Sequence, residues 1–357
     1  MDLLALTSGW PLSVNLLVFG LATLIVWIAG TRLVLFGDEV SERFGLGRVF
    51  FGLIFLAAIT SLPEVVTTLT AAIAGKAALV LGNIFGSITV QTAVLALADL
   101  VIVRHALTSW PRKPTHALEA VLLILFLTML HAIAIWGDRA LIWGIGAGSL
   151  LLCMAYPGAI VLLRRYDERA SWAPVDIPDT EHAAAVVTKR EDLTHMASSA
   201  LIFRIALTAA MILLAGVLTA NRADAIAEQS GLGGSFVGVA LLAAATSTPE
   251  ISTTFAAARM GAYTLAISNI FGSNLIMIAL VLPADIAYRA GPILSEITIA
   301  GQIGLLAGLL VTTIYVLGLL IRRTPHVLGA GADSILVLAV YVLGLLAVYR
   351  SSVPAAP

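Results

Sequence analysis

AITSLPEVVTTLTAAIAGKAALVLGNIFGS, residues 58–87, returns as AATSTPEISTTFAAARMGAYTLAISNIFGS at residues 244–273, without a gap and with more than half of its positions identical. Each copy places one glutamate, Glu64 or Glu250, inside a long apolar run. An ionisable side chain is costly there and is usually kept for function. The duplication therefore predicts one site built from two halves of the chain.

The composition identifies a polytopic membrane protein. Hydrophobic residues make up 60% of the 357 residues and charged residues 11%, whereas ordinary globular domains carry about 25% charged residues. The net charge of -1 points to neither an acidic nor a basic partner, and nucleic-acid binding has no support. The single cysteine, Cys153, excludes a disulfide framework and a thiolate metal cluster.

Ten apolar runs are long enough to cross about 30 Å of hydrocarbon as helices of roughly 20 residues. They lie at 12–35, 49–74, 78–102, 117–137, 141–163, 200–220, 235–260, 263–287, 296–320 and 333–349. The predicted fold class is therefore an all-α polytopic membrane protein with ten transmembrane helices.

The lysines and arginines distribute unequally between the two sides that ten spans define. Of the 20, five lie on one side, namely Lys76, Arg139, Arg222, Arg289 and Arg350, and the other fifteen lie opposite. Positive residues concentrate in cytoplasmic loops, so this asymmetry predicts that both termini are outside. Short loops and the lack of a targeting extension suit a bacterial inner membrane.

Five spans per half is an odd number, so the second half enters the membrane from the opposite side to the first. We predict a first inverted repeat at 1–163 with its motif at 57–91, a cytoplasmic linker at 164–199, and a second inverted repeat at 200–357 with its motif at 243–277. Inverted repeats are typical of secondary transporters, whose substrate site lies near the bilayer midplane between the halves. The absence of a GxxxxGK[ST] loop argues against an ATP-driven pump.

The motifs TSLPE, 60–64, and TSTPE, 246–250, concentrate oxygen ligands. Proline has no N–H and clashes with the preceding turn, so each motif leaves one carbonyl, of Ile59 or Ala245, without its helical donor. Carboxylates, hydroxyls and free carbonyls are hard donors that suit calcium, sodium or magnesium rather than copper or zinc. The motif in each half of the chain thus predicts one half of a binding site for a hard cation.

NIFGS is the second element of each copy. Its small residues let membrane helices approach closely, which brings Ser87 and Ser273 within reach of the glutamates. The asparagines that open the two motifs, Asn83 and Asn269, suit either hydrogen bonds between helices or a direct role in ion binding.

The two copies resemble the alpha-repeats of the calcium/cation antiporter superfamily, whose sodium/calcium exchanger branch has similar G-T-S-x-P-E and G-S-N-x-x-N/D signatures. The resemblance implies a sodium/calcium exchanger-like fold in which ten helices, as two inverted five-helix repeats, surround a core of spans two, three, seven and eight. It also implies a set of metal ligands by position. These are the carboxylates of Glu64 and Glu250, the backbone carbonyls of Thr60, Thr246, Ala57 and Ala243, and the hydroxyls of Ser61, Ser247, Ser87 and Ser273.

This chain departs from the family pattern at three positions. Ile88 replaces the asparagine that the second copy keeps as Asn274, and Gln91 and Met277 stand where the family often has Asn or Asp. A thioether is a poor partner for a hard cation, so Gln91 is the better ligand candidate of the two. The predicted site has two carboxylates and no third acid, which neutralises one divalent ion or two monovalent ions.

The sequence predicts a secondary antiporter that exchanges Ca²⁺ for Na⁺ by alternating access. Two empty buried carboxylates resist crossing the membrane, whereas one calcium, or two or more sodium ions or protons, restores neutrality. The alternative is a proton-coupled exchanger of Ca²⁺ or Mg²⁺, which Gln91 and Met277 favour because fewer ligands remain for several sodium ions. A non-transporting membrane scaffold is a third, remote hypothesis.

An enzyme is not expected, because the spans contain neither a GxGD aspartyl pair nor an HExxH motif. We expect no cofactor besides the transported ions Ca²⁺, Na⁺ and H⁺. The expected partners are inorganic cations and the lipid bilayer, with no nucleic acid and no obligate protein partner.

Several other polar residues in the spans have a structural interpretation. Thr67 and Thr253 are predicted to bond to backbone carbonyls one turn earlier. Asp99 and Asp285 match between the halves but lie near span ends, where we expect them at the membrane interface. His131 is likewise interpreted as an interface residue rather than a proton relay.

Overall fold

The computed structural model describes residues 10–44, 57–103, 106–111, 114–169, 196–259, 261–322, 326–327 and 330–352. The helices are α1 Leu12–Phe44, α2 Ala57–Thr60, α3 Leu62–Ile73, α4 Ala77–Ala98, α5 Thr115–Trp136, α6 Ala147–Arg169, α7 Ser198–Ser230, α8 Gly234–Val237, α9 Ala243–Thr246, α10 Thr248–Arg259, α11 Tyr263–Tyr288, α12 Ile299–Ile321 and α13 Ala332–Ser352. A short antiparallel ladder joins β1 His326–Val327 to β2 Ala330–Gly331. The chain is an all-α membrane protein, as predicted.

The described residues contain eight helices that are long and apolar enough to cross a membrane. A ninth span is a bent pair, Gly234–Thr246 followed by Thr248–Arg259, with an angle of 51° between its parts. The equivalent span of the first half includes α2 and α3, and its beginning, at 49–56, lies outside the described residues. This arrangement agrees with the ten predicted spans.

Several helix ends differ from the predicted ones. The fifth span begins at Ala147 rather than at residue 141, because Trp143 and Gly144 take positive φ angles of 61° and 77° in a preceding 3-10 turn. Helices α1 and α7 extend to Phe44 and Ser230, well beyond their apolar runs. Apolar sequence marks the part of a helix that lies in hydrocarbon, whereas the helix itself continues past that boundary.

Helices α4 and α11 form the centre of the molecule. In each of them 72% of the most apolar stretch is buried inside the protein, against 28% for α1 and α7 and 22% for α13. Helix α1 packs against α7 and α10, and α7 packs in turn against α3. The two halves therefore interlock, with the third and eighth spans at the centre as predicted.

The backbone of α4 touches the bent span of the other half. A Cβ atom added to Gly82 would lie 3.0 Å from the Cα atom of Gly238, and one added to Gly86 would lie 2.5 Å from the carbonyl oxygen of Val239. Residues Gly238–Leu242 form a π-helical turn at this crossing. The glycines of α4 are therefore required by the close approach of two backbones.

Asp99 lies at a span end, as predicted, but it is buried within the protein. Its carboxylate accepts hydrogen bonds from the backbone N–H of Leu107 at 3.2 Å, the backbone N–H of Gly331 at 3.1 Å and the hydroxyl of Ser334 at 2.7 Å. It thereby joins the end of α4 in the first half to the beginning of α13 in the second half.

Asp285 makes the equivalent connection at the other end of the molecule. Its carboxylate accepts hydrogen bonds from the backbone N–H groups of Gly146 and Ile293, both at 2.7 Å, and from the hydroxyl of Ser149. It joins α11 of the second half to the beginning of α6 in the first. Both aspartates thus satisfy loop N–H groups that would otherwise be buried without a partner.

Ion pairs connect Lys76 to the end of α7. The ten predicted spans place both segments on the same side of the membrane. The ammonium group of Lys76, after α3, lies 3.0 Å from Asp224 and 2.9 Å from Glu228 near the end of α7. The pKa of Lys76 is raised, first by the hydrogen bond to Glu228 and then by the hydrogen bond to Asp224. All three side chains are partly exposed, so these ion pairs contribute little to stability.

Candidate cation site

The two Pro-Glu motifs break their helices at the same position. Ser61 stands between α2 and α3 with φ -78° and ψ 3°, and Ser247 stands between α9 and α10 with φ -79° and ψ 10°. Proline is compatible with the first turn of the helix that follows, because the N–H groups there have no intrahelical acceptor. The same local sequence thus makes the same break twice.

Glu64 lies in the first turn of α3 and is fully buried. Its Oε1 atom accepts hydrogen bonds from the hydroxyl of Ser247 at 3.0 Å and from the amide of Gln91 at 3.2 Å. The amide of Gln91 also donates to Ser247 at 3.1 Å, and the hydroxyl of Ser247 lies 3.5 Å from that of Ser87. The first carboxylate is therefore held by a serine of the second half.

Glu250 has the equivalent environment in α10 and is also fully buried. Its Oε1 atom accepts hydrogen bonds from Ser273 at 3.2 Å and from Ser61 at 3.4 Å. The two serine hydroxyls are 2.7 Å apart. Each glutamate thus contacts the serine that breaks the helix of the opposite half, and the site lies between the two halves.

Several buried oxygen atoms at this site have no hydrogen-bond donor among the described residues. They are Oε2 of Glu64, Oε2 of Glu250 and Oε1 of Gln91. Buried acceptors without a partner cost free energy, and a bound cation would satisfy them. All three are hard donors, which suit calcium and sodium.

Neither glutamate pairs with a lysine or arginine in the part of the chain that the structure describes. The described residues also hold no group of three His, Cys, Asp or Glu side chains that could bind a metal ion. The two carboxylates therefore supply the negative charge of the site.

The two asparagines differ in their contacts. The amide of Asn83 donates to Thr68 at 2.9 Å and to Thr67 at 3.4 Å, and its oxygen accepts from Thr246 at 3.3 Å. Asn269 donates to Thr253 at 3.0 Å and keeps an oxygen without a donor. Asn83 therefore connects helices, whereas the side-chain oxygen of Asn269 has no donor among the described residues.

Thr67 and Thr253 behave as predicted. Their hydroxyls donate to the carbonyls of Pro63 and Pro249, each at 2.9 Å, one turn earlier in the same helix. The carbonyl of Ala245, expected to be free, accepts the hydroxyl of Thr248 at 2.9 Å.

The carbonyls expected as ligands at Ala57 and Ala243 are engaged within their own turns. That of Ala57 accepts the N–H of Ser61 at 2.9 Å and the hydroxyl of Thr60 at 3.1 Å. That of Ala243 accepts the N–H of Ser247 at 3.0 Å and the hydroxyl of Thr246 at 3.2 Å. In this conformation the structure brings together the two glutamates, the four serines and Gln91. The carbonyls of Ala57 and Ala243 instead accept hydrogen bonds from neighbouring residues of their own helices.

One further buried acid was not predicted from the sequence. Glu119 of α5 is fully buried, and its Oε2 atom lies 3.0 Å from Nδ1 of His116. The hydroxyl of Ser268 on α11 lies 3.3 Å from the same nitrogen. The spacing of three residues, which puts His116 and Glu119 on one helical face, was the available signal.

Comparison with known proteins identifies the family of this chain. A model of the family described as "Sodium/calcium exchanger protein" matches residues 14–163 and 199–350. The "Putative antiporter CaxA" of Alkalimonas amylolytica is 26% identical over 261 residues, which are 72% of this chain and 76% of that protein. The "Inner membrane protein YrbG" of Escherichia coli (strain K12) is 26% identical over 273 residues, which are 76% of this chain and 78% of that protein.

The fold is similar to that of the sodium-calcium exchanger NCX_Mj. A structure of that protein soaked with 10 mM Na⁺ and 10 mM Sr²⁺ has a TM-score of 0.59 and 20% sequence identity, and the match covers 94% of this chain and 99% of NCX_Mj. The exchanger-like fold class is confirmed. By its sequence and fold, this chain belongs to the sodium/calcium exchanger family of membrane cation antiporters.

Proposed function

We propose that this antiporter exchanges Ca²⁺ for Na⁺ at a site between Glu64 and Glu250. The observation that carries the proposal is the pair of fully buried carboxylates, each with one oxygen that has no donor. A membrane interior does not hold such a pair ionised unless a cation neutralises it. The hydroxyls around the carboxylates add uncharged oxygen ligands.

The charge of the site explains exchange. One Ca²⁺, or two Na⁺, neutralises the two carboxylates, whereas the empty site keeps a net negative charge that resists passage through the membrane interior. Because the same oxygens would bind either ion, occupation by calcium excludes sodium. The transported cations are substrates, and we expect no resident cofactor.

The position of the site explains alternating access. Glu64 and Glu250 lie on opposite halves, and each contacts a serine of the other half. We infer that the halves at 1–163 and 200–357 act as inverted repeats, joined by the linker at 164–199. Movement of one half against the other would then open the site to either side.

The serine hydroxyls must reorient when an ion binds. In this conformation Ser61 and Ser247 donate to carboxylate oxygens. A hydroxyl that rotates away presents a lone pair to the cation, and the carboxylate oxygen it releases becomes available as well. A single rotation at each serine therefore adds two ligands without moving the backbone.

Proton coupling is the second candidate, and Gln91 favours it. This residue offers Glu64 an uncharged amide donor at 3.2 Å, and its counterpart in the other half is the buried thioether of Met277. Neither side chain adds negative charge, so the site has few ligands for several sodium ions. Two protons, one on each glutamate, would neutralise the site equally well.

The two candidates differ in the gradient that drives calcium movement. We expect purified protein in liposomes to take up calcium when an outward sodium gradient is imposed, and to show little uptake without a gradient. The measurement is the initial rate of radioactive calcium uptake with an outward sodium gradient, an outward proton gradient or neither. If only the proton gradient drives uptake, the coupling ion is the proton and not sodium.

The matched control is Glu228→Gln, which removes a carboxylate whose side chain is 66% exposed at the end of α7. This variant should retain the uptake rate of the unmodified protein, since it lies outside the site. Absence of any cation flux from the unmodified protein would contradict the proposed exchange and support the scaffold hypothesis.

We also propose a bacterial inner membrane location with both termini outside and the linker at 164–199 in the cytoplasm. The excess of Lys and Arg on the linker side supports this orientation. A protein in which Cys153 is replaced by serine and Ser351 by cysteine should react in intact cells with a membrane-impermeant maleimide. Labelling that requires membrane disruption would contradict the orientation. A single cysteine placed in the linker, at Ser171, is the matched control and should show the opposite behaviour.

A further inference from the structure

We propose that this chain exchanges calcium without net movement of charge, two monovalent cations for each Ca²⁺, and that the uncharged side chain of Met277 sets this ratio. The ratio rests on the proposed function, but it holds whether the monovalent cation is sodium or the proton. It follows from the charge of the site and from the correspondence between the two halves of the chain.

The side chains that form the cation site carry two negative charges. Glu64 and Glu250 are both 0% exposed, and the charge that acts most strongly on Glu64 is that of Glu250. Gln91 and the serines that contact the carboxylates are uncharged. One Ca²⁺ or two monovalent cations therefore bring the site to a net charge of zero.

The other buried carboxylates of the neighbouring helices have contacts of their own. Asp99 and Asp285 each lie 12 residues beyond the serine of the NIFGS motif in their span, which is about 18 Å along a helix at 1.5 Å per residue. Both accept backbone N–H groups of loops. Glu119 contacts His116. Among the described residues, the two glutamates of the site contact hydroxyl and amide groups and no third carboxylate.

Met277 occupies the position in the second half that Gln91 occupies in the first. The two residues are 186 positions apart, which is also the separation of Glu64 and Glu250. The amide of Gln91 donates to Glu64 at 3.2 Å. Met277 follows Ser273 by four residues on the same face of α11, and Ser273 contacts Glu250 at 3.2 Å. Met277 is 0% exposed, so it is the buried side chain that corresponds to Gln91 next to the second carboxylate.

A thioether at this position limits the number of monovalent cations that the site accepts. Methionine has no charge, and its sulfur is a weak acceptor. A third monovalent cation would find no hard oxygen at Met277, and it would leave one uncompensated positive charge in the interior, where an unpaired charge is costly. The calcium-loaded site and the site loaded with two monovalent cations are both neutral. Neither crossing therefore does electrical work against the membrane potential.

The first experiment measures the calcium gradient at which net flux stops in liposomes of the unmodified protein. The potential is set to zero or to about 100 mV with potassium and valinomycin, and a gradient of about tenfold is imposed in the ion that drives uptake. With two monovalent cations per calcium, the calcium gradient should settle at about 100-fold at either potential. An exchange that moves one charge would instead shift by about 40-fold between the two potentials.

The second experiment repeats the measurement with Met277→Asp and with Met277→Asn as its matched control. The aspartate adds a third negative charge, so the calcium-loaded site carries a net charge, and the final calcium gradient should change by up to about 40-fold per 100 mV. The asparagine has the same size and no charge, so its calcium gradient should stay independent of potential. Potential-independent exchange by Met277→Asp would overturn the assignment of the ratio to this residue.

The outcomes distinguish this inference from the proposed function. A calcium gradient that changes with potential in the unmodified protein would overturn the ratio of two to one, while calcium exchange itself would stand. Absence of calcium flux under every gradient would refute the proposed function and the ratio with it. If Met277→Asp fails to fold, Gln91→Glu adds the third charge at the equivalent position of the first half and should show the same dependence on potential.

Discussion

Replacement of both Glu64 and Glu250 by glutamine should abolish calcium exchange and leave the fold intact. The substitution keeps the size of each side chain but removes both negative charges of a site that lies at 0% exposure. Hydrogen bonds to charged groups contribute about 1.5–3 kcal/mol each, so the loss of two carboxylates lowers calcium affinity by more than about 100-fold. The exchange rate should fall below detection at micromolar calcium.

Thermal unfolding separates loss of binding from loss of folding. The unmodified protein should be stabilised by calcium, because a ligand that binds only the folded state raises its stability. The Glu64→Gln, Glu250→Gln protein should unfold at the same or a higher temperature without calcium. Each substitution replaces a buried carboxylate that has no positive partner by a neutral amide. It should then show no further rise when calcium is added.

The control is Glu228→Gln, which should keep both the exchange and the stabilisation by calcium. Robust exchange by the double variant would rule out this pair of carboxylates as the ion site. A double variant that fails to fold would instead show that the carboxylates are needed for structure, and the single variants Glu64→Gln and Glu250→Gln would then measure each contribution.

The centre of the site could be predicted from the sequence because its polarity contrasts with its surroundings. A glutamate and several hydroxyls in an apolar span are conspicuous, and their return 186 residues later identifies the two halves. The structure places Ser61 beside Glu250 and Ser247 beside Glu64. The exchange of partners between the halves is a property of the interlocked fold, and no local pattern in either copy indicates which serine contacts which glutamate.

Other features depend on contacts between distant segments and could not be predicted in this way. Asp99 and Asp285 were expected at the membrane interface because they lie near span ends, yet each accepts backbone N–H groups of loops far away in the sequence. Glu119 was missed because it follows a polar loop and stands near the start of an apolar run. Its burial depends on helices that are distant in the sequence, because α5 packs against α6, α11 and α12.

Helix ends were predicted least accurately, for a different reason. Hydropathy reports which residues lie in hydrocarbon, and it is insensitive to backbone conformation. Because Trp143 has a positive φ of 61°, the helix of the fifth span, α6, begins later than predicted, although the sequence before it is apolar. The π-helical turn at Gly238–Leu242 is similarly invisible to composition, although it places the bent span against α4.

The contact of α4 with the bent span leads to the second prediction with a large effect. A Cβ atom on Gly86 would lie 2.5 Å from the carbonyl oxygen of Val239, 2.6 Å from its Cα atom and 2.8 Å from Cβ of Ala243. Ordinary contacts begin near 3.4 Å. Two of these three atoms belong to the backbone, so no side-chain rotation relieves the overlap, and the helices must separate by about 1 Å.

Gly86→Val should therefore abolish exchange, and Gly86→Ala should reduce it at least tenfold and cost about 1–3 kcal/mol of stability. The displacement acts directly on the site, because Gly86 precedes Ser87, whose hydroxyl lies 3.5 Å from that of Ser247. The measurements are calcium exchange in liposomes and the thermal unfolding midpoint. Gly20→Ala is the matched control, since a Cβ atom at Gly20 meets nothing within 4 Å. Normal exchange by Gly86→Val would show that this backbone contact does not position the site.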